Sequence, residues 1–395
     1  GNTTLNFNPR VLITGVNRID NHLLYITDDY NDPRVIDVDS SYGNPVANID
    51  QFTKERLLVV KKPPANSPDI DMIDVGQDIN YMLDRYVSFA YRYKYANNQY
   101  SATSQFSSPA FFPKDFNESN TYPAVVVSHP GGGVKEQTAG TYAEKLAENG
   151  IVALAYDASY QGESTGTPRQ LENPHVRTED VSAAIDYLTT LPYVDNDRIG
   201  AMGICAGAGY TANAAINDRR IKAVGTVSMV NIGQMFRNGW DNNVKDSDAL
   251  PYLQAGSDSR TSDASGNDTA TMPMAPLKEE DAPNEELRQA WEYYHTDRAA
   301  YCTAPGFGTA RSLTQLISYD AFFKAEAFLT QPLLTVVGSD AGSKWMSDDL
   351  MERAASTDKT MHIIDGANHM DLYDGEPEIK SAINVLVPFF TRSLA

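Results

Sequence analysis

Cysteine is scarce: two in 395 residues. That is too few for a disulfide framework, so the redox compartment stays open and each thiol must be explained by packing or by chemistry. Positive charge is also in short supply. Thirty-two Lys and Arg stand against 52 Asp and Glu, a formal net charge of −20, and such a surface repels nucleic acid and anionic lipid. No apolar run approaches the roughly 18 residues that a bilayer span requires, which excludes membrane insertion by a helix. No Cys/His group has zinc spacing, and "DIDMID" (69–74) lacks the glycine and distal Glu of a calcium loop, so no metal is expected. The opening "GNTTLNFNPR" has neither a basic nor an apolar leader segment. It suits a cytosolic start or an exported chain already trimmed, and leaves the compartment unknown.

What is present falls into two textures. Residues 1–85 hold short β-branched runs, "RVLITGV", "HLLYIT", "RVIDVD" and "RLLVVKK", between Asn, Asp, Gly and Pro clusters, and predict a small β-rich N-terminal extension. Residues 86–395 read as the main domain. It opens with "YVSFAYRYKY", whose Tyr91, Tyr93 and Tyr95 share one face at period two, and a hairpin through "ANN". From residue 123 apolar strands alternate with amphipathic helices: "PAVVVSHP", then a helix stopped by Gly150; "IVALAYD", then a helix capped by Thr178; "RIGAMGI", "IKAVGTVSMV", "QPLLTVVG" and "TMHIID". Continuous apolar strands between helices indicate an α/β fold, a mostly parallel, doubly wound sheet covered on both faces. The alternation lapses over about 231–312, which predicts an insertion folding over something as a helical lid.

The candidate chemistry lies at "GICAGAGY" (203–210). Gly203-Ile204-Cys205-Ala206-Gly207 has the G-x-nucleophile-x-G form and sits between a strand and a helix. The small residues make room for a nucleophile on a strained turn. The bland alternative is a buried cysteine acting as a small hydrophobe; the helix N-terminus after it instead favours a thiolate. A nucleophile needs a base. Of six histidines (His22, His129, His175, His295, His362 and His369), His369 in "GANHMDLYD" lies just past the last strand and fits best. The orienting carboxylate is expected at the end of the preceding strand, at Asp340, with Asp371 as alternative and Asp348 and Asp349 read as first-turn helix residues. The order 205, 340, 369 is that of α/β-hydrolases. Oxyanion donors are expected from the backbone of Ala206 and from the glycines of "SHPGGG", Gly132 first and Gly133 next. His129 is read as orienting that loop, Asp157, Gly162 and Ser164 as fixing a turn, Arg177, Glu179 and Asp180 as capping or ion-pair residues, and Cys302 as packing or pocket lining.

"HPGGGVKEQTAGTYAEKLAENG", "AYDASYQGES", "RTEDVSAAIDYLTTLPYVDNDRIG", "GICAGAGY" and "GANHMDLYD" resemble the YcjY-type α/β-hydrolases, a group related to dienelactone hydrolases and to fungal polyketide thiohydrolases and transferases. The resemblance covers about residues 86–395. It implies an α/β-hydrolase sheet, a helical lid, no cofactor, and hydrolysis or transfer of an acyl group, with Cys205 as nucleophile, His369 as base and Asp340 as orienting acid. The expected substrate is a small ester, thioester or lactone rather than an amide, since the intermediate would itself be a thioester. Acyl transfer to another acceptor, a peptidase-like hydrolase and an inactive binding protein on the same fold are the alternatives, and a homo-oligomer is compatible with the chain. Trp240, Trp291, Tyr293, Tyr294 and Phe307 in the insertion suit an apolar acyl group or simple packing.

Overall fold

The computed structural model describes residues 120–395 and the backbone of three short strands before them. The chain divides into two compact units, residues 1–114 and 115–395. In the first, strands β1 (Gly15–Asp20), β2 (Leu23–Thr27) and β3 (Arg34–Asp37) form an antiparallel sheet in that order. The run at 56–62, the hairpin of 86–112 and the expected boundary at 85/86 lie outside the described residues, as does His22.

The second unit is built on strands β4 (Tyr122–Ser128), β5 (Val152–Ala155), β6 (Val194–Ile204) and β7 (Ile221–Val227). Two short strands, β8 (Thr271–Pro273) and β9 (Phe307–Thr309), pair separately as a ribbon. β10 (Leu333–Gly338) and β11 (Lys359–Ile364) then complete a six-stranded sheet of order β11-β10-β7-β6-β4-β5 with every pairing parallel. β4 shows why these residues choose a central strand. Ala124 and Val126 pack into one apolar core and Val125 and Val127 into another, all four fully buried, so a run apolar at every position is what a strand covered on both faces demands.

Helices α1 (Gly140–Ala147), α2 (Pro174–Thr189) and α3 (Ala206–Asn217) connect the first strands. α1 buries Tyr142, Ala143 and Leu146, the face its spacing marks. α2 begins four residues before the expected cap at Thr178. Asn173 accepts the N–H groups of His175 and Val176, and Pro174 takes the first helical position, where its missing N–H costs nothing; the Thr178 hydroxyl instead bonds back to the Pro174 carbonyl. Between β7 and β10 the chain forms α4 (Ile232–Asn238), α5 (Leu250–Ala264), the β8–β9 ribbon and α6 (Glu285–His295). α7 (Lys344–Arg353) starts early enough to put Asp348 and Asp349 in its second turn, paired with Lys344 and with Arg353, rather than in its first. The closing helix α8 (Glu376–Ser393) lays Phe390 across the sheet where Gly200 and Gly225 leave space, a burial worth about 1.5–3 kcal/mol.

Strand order decides where a site can form. The chain runs from β4 out to β5 at one edge, returns to β6 on the other side of β4, and continues outward through β7, β10 and β11. The reversal opens a crevice at the carboxyl ends of β4 and β6.

Candidate active site

Two loops meet at that crevice, "HPGGG" after β4 and Cys205 after β6. Cys205 has φ 56° and ψ −125°, a backbone that L-residues avoid and that persists only where the surroundings hold it. Its N–H donates to the Val227 carbonyl, and its own carbonyl accepts from Ala208 and Val230. The flanking glycines are sterically required. A Cβ on Gly203 would lie 2.2 Å from the Gly207 carbonyl oxygen, and one on Gly207 would lie 2.3 Å from that of Ser128.

At the sulfur the backbone N–H groups of Ala206 and Gly131 converge, with the hydroxyl of Tyr373 beside them. Ala206 was expected there; the loop glycine was expected to be Gly132 or Gly133. The turn explains the difference. Gly133 spends its N–H on the Pro130 carbonyl, 3.1 Å away, and Gly132 supplies the positive φ of 71° that closes the bend, which leaves Gly131 facing the thiol. Burial pushes the Cys205 thiol up despite these donors. The helix N-terminus does not yield a resting thiolate, because desolvation of a charged sulfur outweighs it.

His369 stands on the loop after β11, its side chain buried. Its Nδ1 lies 2.7 Å from Ser343 Oγ and its Nε2 3.3 Å from the Tyr373 hydroxyl, with the Trp240 ring edge-on at a centroid distance of 4.9 Å. Burial lowers its pKa to about 3, so the imidazole rests neutral. Tyr373 therefore touches both Cys205 and His369. It sits four residues after His369, at the end of the quoted "GANHMDLYD", and sequence reasoning passed over it.

The structure does not bring Asp340 to the ring. Asp340 follows β10 as expected, but its N–H is tied to the Ala367 carbonyl and its exposed carboxylate accepts from Ser339 Oγ. Ser343, the buried residue before α7, meets Nδ1 instead. Asp371 also serves the loop, accepting from the Asn368 N–H at 2.8 Å. The carboxylate nearest to His369 in function is Glu286 of α6. It accepts from the His369 backbone N–H at 2.7 Å, from Trp240 Nε1 at 2.6 Å and from the Gly342 N–H at 3.2 Å, so one acid from the insertion ties together the loops after β10 and β11.

The other candidates have structural occupations. His362 lies in β11 beside Ser381, and His295 ends α6. Asp157 accepts from the N–H groups of Lys135 and Glu163, and Ser164 Oγ donates to the Asp157 carbonyl. Glu136, Asp157 and Glu163 form the three-acid cluster found among the described residues, and the Lys135 ammonium lies within 2.6–2.8 Å of all three. Cys302 is exposed and lines a separate surface cavity with Phe307.

Residues 112–228 match the dienelactone hydrolase family. Over 313 residues the chain is 67% identical to the uncharacterized protein YcjY of Escherichia coli, spanning 79% of this chain and all of that one. The chain belongs to the dienelactone hydrolase family. The crystal structure of the hypothetical protein PA2218 from Pseudomonas aeruginosa superposes with a TM-score of 0.67 at 28% identity, covering 83% of this chain and all of that one. A thiohydrolase of Eupenicillium brefeldianum is 26% identical over 259 residues, 64% of this chain and 81% of its own. The architecture of the second unit is the α/β-hydrolase fold, and this family member is a hydrolase of esterase type.

Proposed function

We propose that this family member hydrolyses an ester, thioester or lactone through a covalent thioester on Cys205, with His369 as base. The observation that carries the proposal is the convergence of the Ala206 and Gly131 N–H groups on the sulfur of a strained elbow, since donors so placed stabilise the oxyanion that forms as that sulfur attacks a carbonyl. Cys205 and His369 rest as a neutral pair. As the sulfur attacks, the thiol proton passes to the Tyr373 oxygen while the Tyr373 proton passes to Nε2. Ser343 accepts from Nδ1–H and so keeps Nε2 free to take it. The protonated ring then gives its proton to the departing alcohol or thiol. Water, deprotonated by the same ring, adds to the thioester carbonyl and releases the acid and the free thiol.

The match to a thiohydrolase and the dienelactone family support activated acyl compounds over amides. Acid-quenched reactions with an aryl thioester, mapped by mass spectrometry, should place the acyl mass on Cys205. Cys205→Ala should lower kcat/KM by at least about a thousandfold, and Tyr373→Phe by about a hundredfold. A Cys205→Ala variant that turns over at the parental rate would overturn the reading.

A further inference from the structure

Two cavities meet beside Cys205, and their sizes differ widely. The inner one, about 60 Å³, is walled by Gly131, Cys205, Ala290, Tyr294, His369 and Tyr373. The outer one, about 460 Å³, is walled by Pro273, Pro276, Leu277 and Asp281. Met235, Trp240, Met274, Ala275 and Leu287 line both, so the two adjoin along a shared wall. Met274 leaves the β8–β9 ribbon, held by its N–H on the Gly306 carbonyl, and lies over the glycine loop. A Cβ added at Gly131 would meet its Cε, and one at Gly132 its Cβ, each at 3.0 Å.

An apolar cavity of about 150 Å³ holds benzene, so the inner space takes about two or three heavy atoms. The outer space is large enough for most of a drug-sized ligand. His369 must reach the leaving atom to protonate it, and Trp240, which packs on His369, walls both cavities. The leaving group therefore departs along Trp240 into the large cavity, while the acyl group stays against Tyr294 and Ala290. Neither lining contains Lys or Arg, and Asp281 and Glu286 are acidic, which disfavours an anionic substrate.

Resting on the reading of Cys205 and His369 given above, we propose that the substrate is an uncharged ester or thioester of a short acyl group, about two carbons, with a bulky apolar alcohol or thiol. The step is the one already balanced: the S–C bond to Cys205 forms, the bond to the leaving oxygen or sulfur breaks, and the leaving atom takes the His369 proton.

The test is kcat/KM for the full chain, Cys205→Ala and Leu277→Ser on three thioester sets. The first carries acetyl, butyryl, hexanoyl and decanoyl on 2-naphthalenethiol; the second compares acetyl on thiophenol and on 2-naphthalenethiol, thiols of similar acidity; the third is acetyl-coenzyme A. Expected are a fall of about thirtyfold or more from acetyl to hexanoyl, a several-fold preference for naphthyl over phenyl that Leu277→Ser reduces, and poor turnover of the anionic thioester. Rates that rise with acyl length, or that ignore both acyl length and leaving-group size, would overturn the proposal while Cys205-dependent turnover keeps the catalytic reading intact. Absence of Cys205-dependent turnover in all three sets would overturn the catalytic reading and this proposal with it.

Discussion

His129 and His369 are both buried, both neutral and both lowered to about 3, yet their surroundings have little else in common. His129 Nε2 accepts from the Ala158 N–H at 3.1 Å, which puts the proton on Nδ1, 2.7 Å from the Pro130 carbonyl. Around it Arg177 donates to the His129 carbonyl at 2.6 Å and to Gln161 at 2.9 Å, Gln161 bonds to Glu172, and Tyr210 donates to Glu172 at 2.5 Å. Both ring nitrogens are spent on backbone, and neither cavity beside Cys205 touches the ring. His369 spends Nδ1 on a hydroxyl and points Nε2 toward Tyr373 and the cavity that contains Cys205. Burial and a depressed pKa are thus shared by a strut and a candidate base, and what separates them is whether one nitrogen still has room for a proton in transit.

That contrast breaks most visibly under substitution. His369→Gln should lower kcat/KM by about 10²–10⁴-fold, the range of lost general base catalysis, with little change in the urea midpoint. His129→Gln should do the reverse, costing about 1–3 kcal/mol of stability from donors and acceptors left unpaired, while the folded fraction keeps its rate within about tenfold. Equal activity losses in the two variants would erase the distinction. A smaller effect distinguishes Ser343 from Asp340. Ser343→Ala removes the hydrogen bond to Nδ1 and should cost about tenfold in kcat/KM, in keeping with about 1 kcal/mol for one such bond, whereas Asp340→Asn should stay within about twofold. A larger loss from Asp340→Asn would return the orienting role to the carboxylate.

The same contrast tells how far the sequence could be read. The sheet was legible because a strand buried on both faces must be apolar at every position, as Ala124 to Val127 are. The elbow was legible because its glycines answer a steric demand made within a few residues, at Gly203 and Gly207. His129 and His369 could be told apart by their places relative to strands. What stayed hidden depends on side-chain direction after a loop has turned. Asp340 has the right chemistry two residues beyond the end of its strand, yet the backbone bond to Ala367 faces it outward and brings Ser343 in. Gly131, Gly132 and Gly133 are indistinguishable as letters, and only the turn closed by Gly133 assigns the donor. Glu286 and Trp240 come from an insertion without a local motif, so nothing short of the packed structure links them to His369.

The expected effect on stability against pH ignores the functional difference between the two histidines. Each is neutral when folded down to about pH 3, while in the unfolded chain each protonates near the ordinary value of 6.5. Between those limits the unfolded state binds more protons, so stability rises with pH. The contribution is complete above about pH 6.5 and is lost progressively as pH falls toward 3. Well inside that window each ring adds about 1.4 kcal/mol per pH unit. Glu286, raised by burial, pulls the other way as pH rises through its own range, so the observed slope should fall short of the two-histidine sum. Urea unfolding at pH 5 and pH 6 should show the parent losing stability on acidification, and His129→Gln and His369→Gln should each reduce that slope by about the same amount. A slope that only His129→Gln reduces would mean that the His369 ring takes up its proton within the folded site, and the neutral Cys205–His369 resting pair would have to be given up.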